Sequence, residues 1–156
     1  MKITLLTVGK TDGGWIKTGF DTYVGRLAHY VRFEVKELVP PKFSAGMPVQ
    51  AQKEKEGEMI LKSLKTSDRV VLLDERGEMR SSTEWAGALS SAMVSGRDIV
   101  YVIGGPFGFS KGVYDRADAM LSLSRLTFSH QMVRAIFAEG LYRAFTIIHN
   151  EKYHHE

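Results

Sequence analysis

The sequence predicts an α/β fold in which a mostly parallel sheet is flanked by helices on both faces. Strand-like apolar runs alternate along the chain with segments whose apolar residues recur at helical spacing, as in proteins built from β–α–β units. The clearest apolar run, at residues 100–103, leads directly into a glycine-rich loop at residues 104–109. Ligands of open α/β sheets bind at the carboxyl ends of strands, so this loop is the first candidate for a functional site.

The composition narrows the class of protein. The chain has 156 residues, the size of one domain, so we predict a single domain over residues 1–156. The absence of cysteine excludes disulfides and thiolate metal sites. No apolar run approaches the roughly 20 residues of a membrane span, and the amino terminus has the pattern of a strand, so we expect a cytoplasmic protein. The net charge of +3 permits an RNA partner without requiring one.

The first third of the chain predicts two strands and a helix. Residues 2–8 form an apolar strand that Gly9 closes. Apolar residues at the spacing of one helical face predict a helix over residues 15–30. Residues 31–39 alternate with period two, which predicts a half-exposed strand that ends at two consecutive prolines.

The next segment predicts a charged helix over residues 49–65. Met59, Ile60 and Leu64 supply its contact with the sheet. We assign the charged residues of this helix to a solvated face; they are Lys53, Glu54, Lys55, Glu56 and Glu58.

The middle of the chain predicts two buried strands with a helix between them. The solid apolar run at 69–74 suits a strand that is covered on both faces, and residues 75–78 then turn the chain. Ser81 and Glu84 have the spacing of a capping box, which predicts a helix that ends near Gly96. The second strand covers residues 98–103.

The last third predicts a short helix over 111–117, a brief strand over 119–122 and a long amphipathic helix over 129–149. Residues 123–128, between the strand and the long helix, show no clear period.

The glycine loop has two interpretations that the residues leave open. It lacks the G-x-G-x-x-G spacing of a dinucleotide site and the Lys-Ser/Thr of a phosphate-binding P-loop. Adjacent glycines let backbone amides approach a flat ligand, but they also suit a tight turn without a ligand. Asp74, at the end of a buried strand, either borders the same crevice or bonds to the backbone of its own turn, and the second interpretation is favoured.

Basic and aromatic residues near the carboxyl terminus are further candidates. His130 and Arg134 share a helical face and, with Arg125, suit either a small basic site for a phosphate or base edge, or three solvated side chains. His154 and His155 have no acidic or cysteine residue at a ligand-like spacing, so we predict no metal site. No nucleophile elbow of a serine hydrolase is present in the sequence.

Three segments resemble one known family along the full length of the chain. They are VVLLDERG (70–77), IGGPFGF (103–109) and LSLSRLTFSHQMVR (121–134), and the last continues into EGLYRA (139–144) and a terminal Tyr153-His154. Their order, the total length and the ending resemble the ribosomal RNA large subunit methyltransferase H family, of the SPOUT (α/β-knot) class.

The resemblance implies a fold and a function that spacing arguments do not reach. It implies a deep C-terminal trefoil knot, a homodimer with cofactor sites beside the subunit interface, and no membrane partner. It also implies transfer of a methyl group from S-adenosylmethionine to N3 of a pseudouridine in the large-subunit (23S) ribosomal RNA of the assembled ribosome. The alternative is a non-catalytic nucleotide- or small-molecule-binding module of flavodoxin-like type, which would need neither the 121–134 motif nor the Tyr-His ending.

The resemblance also assigns residues to the site. The cofactor pocket would be formed by Leu73, Gly104, Gly105, Leu123, Ser124, Arg125, Leu126, Thr127 and Phe128. His130, Tyr153 and His154 are candidates for a base that removes the N3 proton, with the tail reaching across the dimer interface, and Arg134 would hold a phosphate. Members of the family often carry Arg or Lys after Tyr-His, where this chain has His155.

Overall fold

The computed structural model describes residues 1–155 and shows an alternation of strands and helices in that part of the chain. The strands are β1 (Lys2–Val8), β2 (Arg32–Leu38), β3 (Arg69–Met79), β4 (Ile99–Ile103) and β5 (Ala119–Ser122). The helices are α1 (Trp15–Leu27), α2 (Val49–Ser63), α3 (Ser82–Val94), α4 (Lys111–Arg116) and α5 (Met132–Ile148). None of the helices in residues 1–155 is both long enough and apolar enough to cross a membrane.

The five strands form one parallel sheet in the order β2-β1-β4-β3-β5. β4 lies at its centre, and all five of its residues are buried. Because the strands are parallel, the loops that follow β1, β3, β4 and β5 lie at the same edge of the sheet. The predicted α/β fold with a parallel sheet is confirmed.

Both faces of the sheet are covered. Ile99 and Tyr101 of β4 point to the face covered by α1, α3 and α5. Val100 and Val102 point to the opposite face, which α2 and α4 cover. The alternation of side chains along a strand therefore divides the core into two layers.

β3 is longer than the sequence predicts. The turn expected at residues 75–78 lies within the strand, because its pairing with β5 shifts: Leu73 and Glu78 are both opposite Leu121. The residues between them bulge outward. Gly77 allows the bulged strand to return to its neighbour, since a Cβ atom at this position would lie 2.7 Å from backbone atoms of Leu121.

The helix predictions differ in accuracy. The capping box of α3 is confirmed: Glu84 N–H donates to Ser81 Oγ (3.2 Å) and Ser81 N–H donates to Glu84 Oε2 (2.7 Å). α5 begins at Met132 rather than at 129, so the irregular segment before it is longer than predicted. On α2, the assignment of Glu56 to a solvated face is wrong, because this residue is 7% exposed.

Candidate functional site

A cavity of about 460 Å³ lies at the carboxyl ends of β3, β4 and β5. Its walls are the end of β3, the glycine loop after β4, the segment after β5 and the first turn of α5. Of the predicted cofactor residues, those that line it are Leu73, Gly104, Gly105, Leu123, Ser124, Leu126, Thr127 and Phe128. The structure thus brings together three stretches that are distant in the sequence.

The glycine loop is shaped by close contacts and by one left-handed residue. A Cβ atom at Gly104 would lie 3.0 Å from the ring of Phe109, so a side chain at 104 would press on that ring. Gly108 has φ +82°, and its N–H donates to Gly105 O (3.2 Å) to close the turn. The loop therefore presents backbone rather than side chains to the cavity at residues 104 and 105.

The segment at residues 123–128 is held by hydrogen bonds of its own side chains. Ser122 Oγ donates to Ser124 O (2.8 Å), and Leu126 N–H donates to Ser124 Oγ (2.9 Å). Thr127 Oγ1 donates to Glu75 Oε2 (2.9 Å), which links the segment to β3 on the other side of the cavity. These local bonds replace a helix or strand ladder and account for the absence of a period in the sequence.

Asp74 lines the cavity and is held by two donors. Its Oδ1 accepts the N–H of Arg76 (2.9 Å), and its Oδ2 accepts the hydroxyl of Tyr114 (2.5 Å). Burial alone would raise the pKa of Asp74, but the hydrogen bonds from Tyr114 and Arg76 outweigh it and hold the pKa below its usual value. Asp74 therefore fits both interpretations, because it bonds to its own turn and also borders the cavity.

Arg134 is a structural anchor and does not face the cavity. Its guanidinium is fully buried and donates to Val8 O, Gly9 O, Thr11 Oγ1 and His130 O, each at 3.0 Å. Burial lowers the pKa of this guanidinium. The interpretation of Arg134 as a phosphate-binding residue is therefore wrong for this structure, because the guanidinium is fully buried and four of its five N–H groups already have protein acceptors.

The predicted basic site does not form. His130 lines the cavity, whereas Arg125 is exposed and is not among the lining residues. Gln131, which the sequence did not single out, links this region to the loop after β1. Its Oε1 accepts Asp12 N–H (2.8 Å) and its Nε2 donates to Lys10 O (2.9 Å).

The carboxyl-terminal tail packs on α5 of its own chain. The hydroxyl of Tyr153 donates to Glu139 Oε1 (3.1 Å), and the guanidinium of Arg143 lies 4.7 Å from the centre of the Tyr153 ring. Arg143 also lies 3.4 Å from His154 Nδ1. Neither Tyr153 nor His154 lines the cavity of this chain. Burial, together with hydrogen bonds to Tyr23 and Glu139, raises the pKa of Tyr153.

A protein-family model described as Predicted SPOUT methyltransferase matches residues 1–154. The chain belongs to this family. Proteins of Porphyromonas gingivalis and Parabacteroides distasonis, both named Ribosomal RNA large subunit methyltransferase H, are 48% and 46% identical to it over 157 residues, with 100% of each chain covered. A protein of the same name from Christiangramia forsetii is 47% identical over 99% of each chain. The family resemblance is confirmed, and a methyltransferase is favoured over a non-catalytic binding module.

Proposed function

We propose that this protein transfers a methyl group from S-adenosylmethionine to N3 of a pseudouridine in large-subunit ribosomal RNA, acting on the assembled ribosome in the cytoplasm. The observation that carries the proposal is the cavity between Leu73, the glycine loop and residues 123–128, in a chain that belongs to a methyltransferase family. The names of the full-length relatives support the choice of RNA.

The cavity has the size and the lining that S-adenosylmethionine requires. Its volume of about 460 Å³ is within the range of small-molecule sites. Leu73, Leu123 and Leu126 offer apolar surface to an adenine ring, and the backbone at Gly104 and Gly105 offers polar groups without a side chain in the way. These residues would hold the cofactor.

Bound S-adenosylmethionine would supply a methyl group that is activated by a positively charged sulfur. The task of the protein is then to bring N3 of the base to about 3–3.5 Å from that methyl group and in line with the bond that breaks. The N3 proton must leave during the transfer. His130 lines the cavity, and histidine is the side chain that most often acts as a general base, so we assign it the role of base.

The homodimer, with the carboxyl-terminal tail of each copy, and the trefoil knot form a second part of the proposal. Tyr153 and His154 do not line the cavity of their own chain, so we propose that a homodimer forms and that the tail of each copy completes the cavity of the other. The C-terminal trefoil knot implied by the family resemblance belongs to the same proposal.

The test is incubation of the protein with labelled S-adenosylmethionine and ribosomes from a strain that lacks the endogenous enzyme. We expect label in large-subunit RNA, at N3 of one pseudouridine. Ribosomes from a strain that has the enzyme serve as the control and should accept little label. Absence of label from the first ribosomes, with cofactor binding intact, would exclude the proposed reaction.

A further inference from the structure

Glu56 on α2 is a buried acid, and one of its carboxyl oxygens has no hydrogen-bond partner in the described part of the chain. Its residue is 7% exposed, and its Oε2 is buried with no hydrogen-bond partner among residues 1–155. An unpaired buried carboxyl group costs folding free energy, and more so when it is ionised. Burial raises the pKa of this carboxyl group.

The carboxyl group lies directly behind the glycine loop. A Cβ atom at Gly105 would be 2.7 Å from Glu56 Oε2 and 3.1 Å from Oε1. Gly105 is also one of the residues that line the cavity. The acid is therefore in close contact with a wall of the proposed cofactor site.

The packing of α2 keeps the acid in this position. A Cβ atom at Gly57 would overlap Ser110 Oγ, so the helix lies in close contact with the start of α4. Ile60, one helical turn after Glu56, is 1% exposed on the same face of α2. Glu56 is thus held by a buried helix face.

Other charged groups at the cavity have partners. Asp74 accepts hydrogen bonds from Tyr114 and Arg76, and Glu75 accepts one from Thr127 and is exposed to solvent. Glu56 differs from both because it is buried and forms no ion pair with the residues that the structure describes. Its field is consequently the least screened among these acids.

We propose that Glu56 makes the site prefer the cationic cofactor to the reaction product. This inference rests on the proposed function, in which the cofactor is S-adenosylmethionine. Methyl transfer breaks the bond between the sulfonium and its methyl group, forms the N3–methyl bond and releases the N3 proton, so S-adenosylhomocysteine has a neutral sulfur. A carboxylate behind the loop attracts the sulfonium and gains nothing from the neutral sulfur. It therefore favours cofactor binding and product release.

The test is calorimetric binding of S-adenosylmethionine and S-adenosylhomocysteine to the wild type, to Glu56→Gln and to Glu58→Gln. Glu58 is on the same helix and is exposed, so it is the matched control. We expect Glu56→Gln to weaken S-adenosylmethionine about tenfold, from the loss of one charge in a partly desolvated site, and S-adenosylhomocysteine less than about twofold. The ratio of the affinity for S-adenosylmethionine to that for S-adenosylhomocysteine is the decisive quantity. If this ratio is the same in Glu56→Gln as in Glu58→Gln, the inference is overturned.

The two proposals fail in different ways. If the wild type binds neither compound, the proposed function fails. If the wild type binds both and the ratio is insensitive to Glu56, only the role of Glu56 fails.

A second variant, Glu56→Met, separates this role from a structural one. Methionine fills the space without a polar group, so we expect the melting temperature to rise by about 2–4 °C, while the ratio of the affinity for S-adenosylmethionine to that for S-adenosylhomocysteine falls as in Glu56→Gln. A lower melting temperature with an unchanged ratio would show that Glu56 serves the fold and would overturn the inference.

Discussion

Two charged side chains are buried at the same end of the sheet, and they differ in how their polar atoms are hydrogen-bonded. Arg134, at the start of α5, donates four hydrogen bonds to the loop after β1 and to His130. Glu56, beside the glycine loop, has an oxygen with no partner in residues 1–155. A buried charged group that forms hydrogen bonds with the protein stabilises one arrangement of the chain. A buried charged group with an unpartnered atom can still interact electrostatically with a ligand. The comparison separates an anchoring region from a binding region.

We expect the largest effect, a loss of stability, from substitution of Arg134 in the anchoring region. Arg134→Met removes all four hydrogen bonds and leaves Val8 O and Thr11 Oγ1 without these donors at buried residues, so we expect a loss of about 3–5 kcal/mol in the free energy of unfolding. Urea denaturation measures it. Arg125→Met, at an exposed position, should change the same quantity by less than about 0.5 kcal/mol. If the two substitutions change the free energy of unfolding equally, Arg134 is not a structural anchor.

The second prediction concerns Gly104, in the wall of the cavity, and the affinity for S-adenosylmethionine. In Gly104→Val the new side chain meets the ring of Phe109 and narrows the cavity, so we expect affinity for S-adenosylmethionine to fall at least about tenfold. Calorimetry is the measurement. Gly87→Val is the control, because nothing lies within 4 Å of a Cβ atom at that exposed position of α3. Wild-type affinity in Gly104→Val would place the cofactor elsewhere.

A smaller effect is expected at the tail, where the polar groups are paired but only half buried. Tyr153→Phe removes the hydroxyl that donates to Glu139 and contacts Tyr23, so we expect a loss of about 1 kcal/mol in stability. Urea denaturation measures this loss. Wild-type stability in Tyr153→Phe would mean that the hydroxyl contributes nothing to the packing of the tail on α5.

The smallest expected effect concerns the pH dependence of stability, to which Asp74 and Glu56 contribute in opposite directions. The pKa of Asp74 is lowered on folding, so its ionisation stabilises the protein above about pH 4 and that contribution is lost as pH falls through the folded value. The pKa of Glu56 is raised, so stability falls as pH rises above about 4.3 towards its folded value.

Urea midpoints at several pH values test this difference. Relative to the wild type, Asp74→Asn should lose stability near neutral pH and recover it as the solution becomes acidic. Glu56→Gln should gain stability near neutral pH and lose that advantage in acid. Shifts in the same direction for both variants would mean that the two acids do not have opposite environments.

The sheet was predictable from the sequence because its strands are either continuous apolar runs or, in β2, a regular apolar alternation, and their alternation with helices predicts parallel pairing. The two buried charges were not predicted, because a charged residue in a helix is usually solvated. A signal was present for both. Arg134 lies three and seven residues before the apolar Phe137 and Leu141, and Glu56 lies four before Ile60, so each shares a buried helix face.

Other parts of the site depend on contacts between distant residues. The bulge of β3 is set by its pairing with β5, and the position of the tail is set by Glu139 and Arg143. No local pattern in residues 74–78 or 150–155 contains that information. The cofactor cavity was assigned from the family resemblance, and the structure brings most of its predicted residues to one place.

The anchor at Arg134 has a consequence for how the chain is made. Its acceptors Val8 O and Gly9 O lie at and just after the end of β1, the first strand to be synthesised, and the arginine follows 126 and 125 positions later. These carbonyl groups must remain in water until almost the whole chain has emerged from the ribosome that makes it. Contacts of such long sequence separation form late and slowly. We therefore expect the end of β1 and the entry to α5 to become protected from hydrogen exchange together, as the last event of folding.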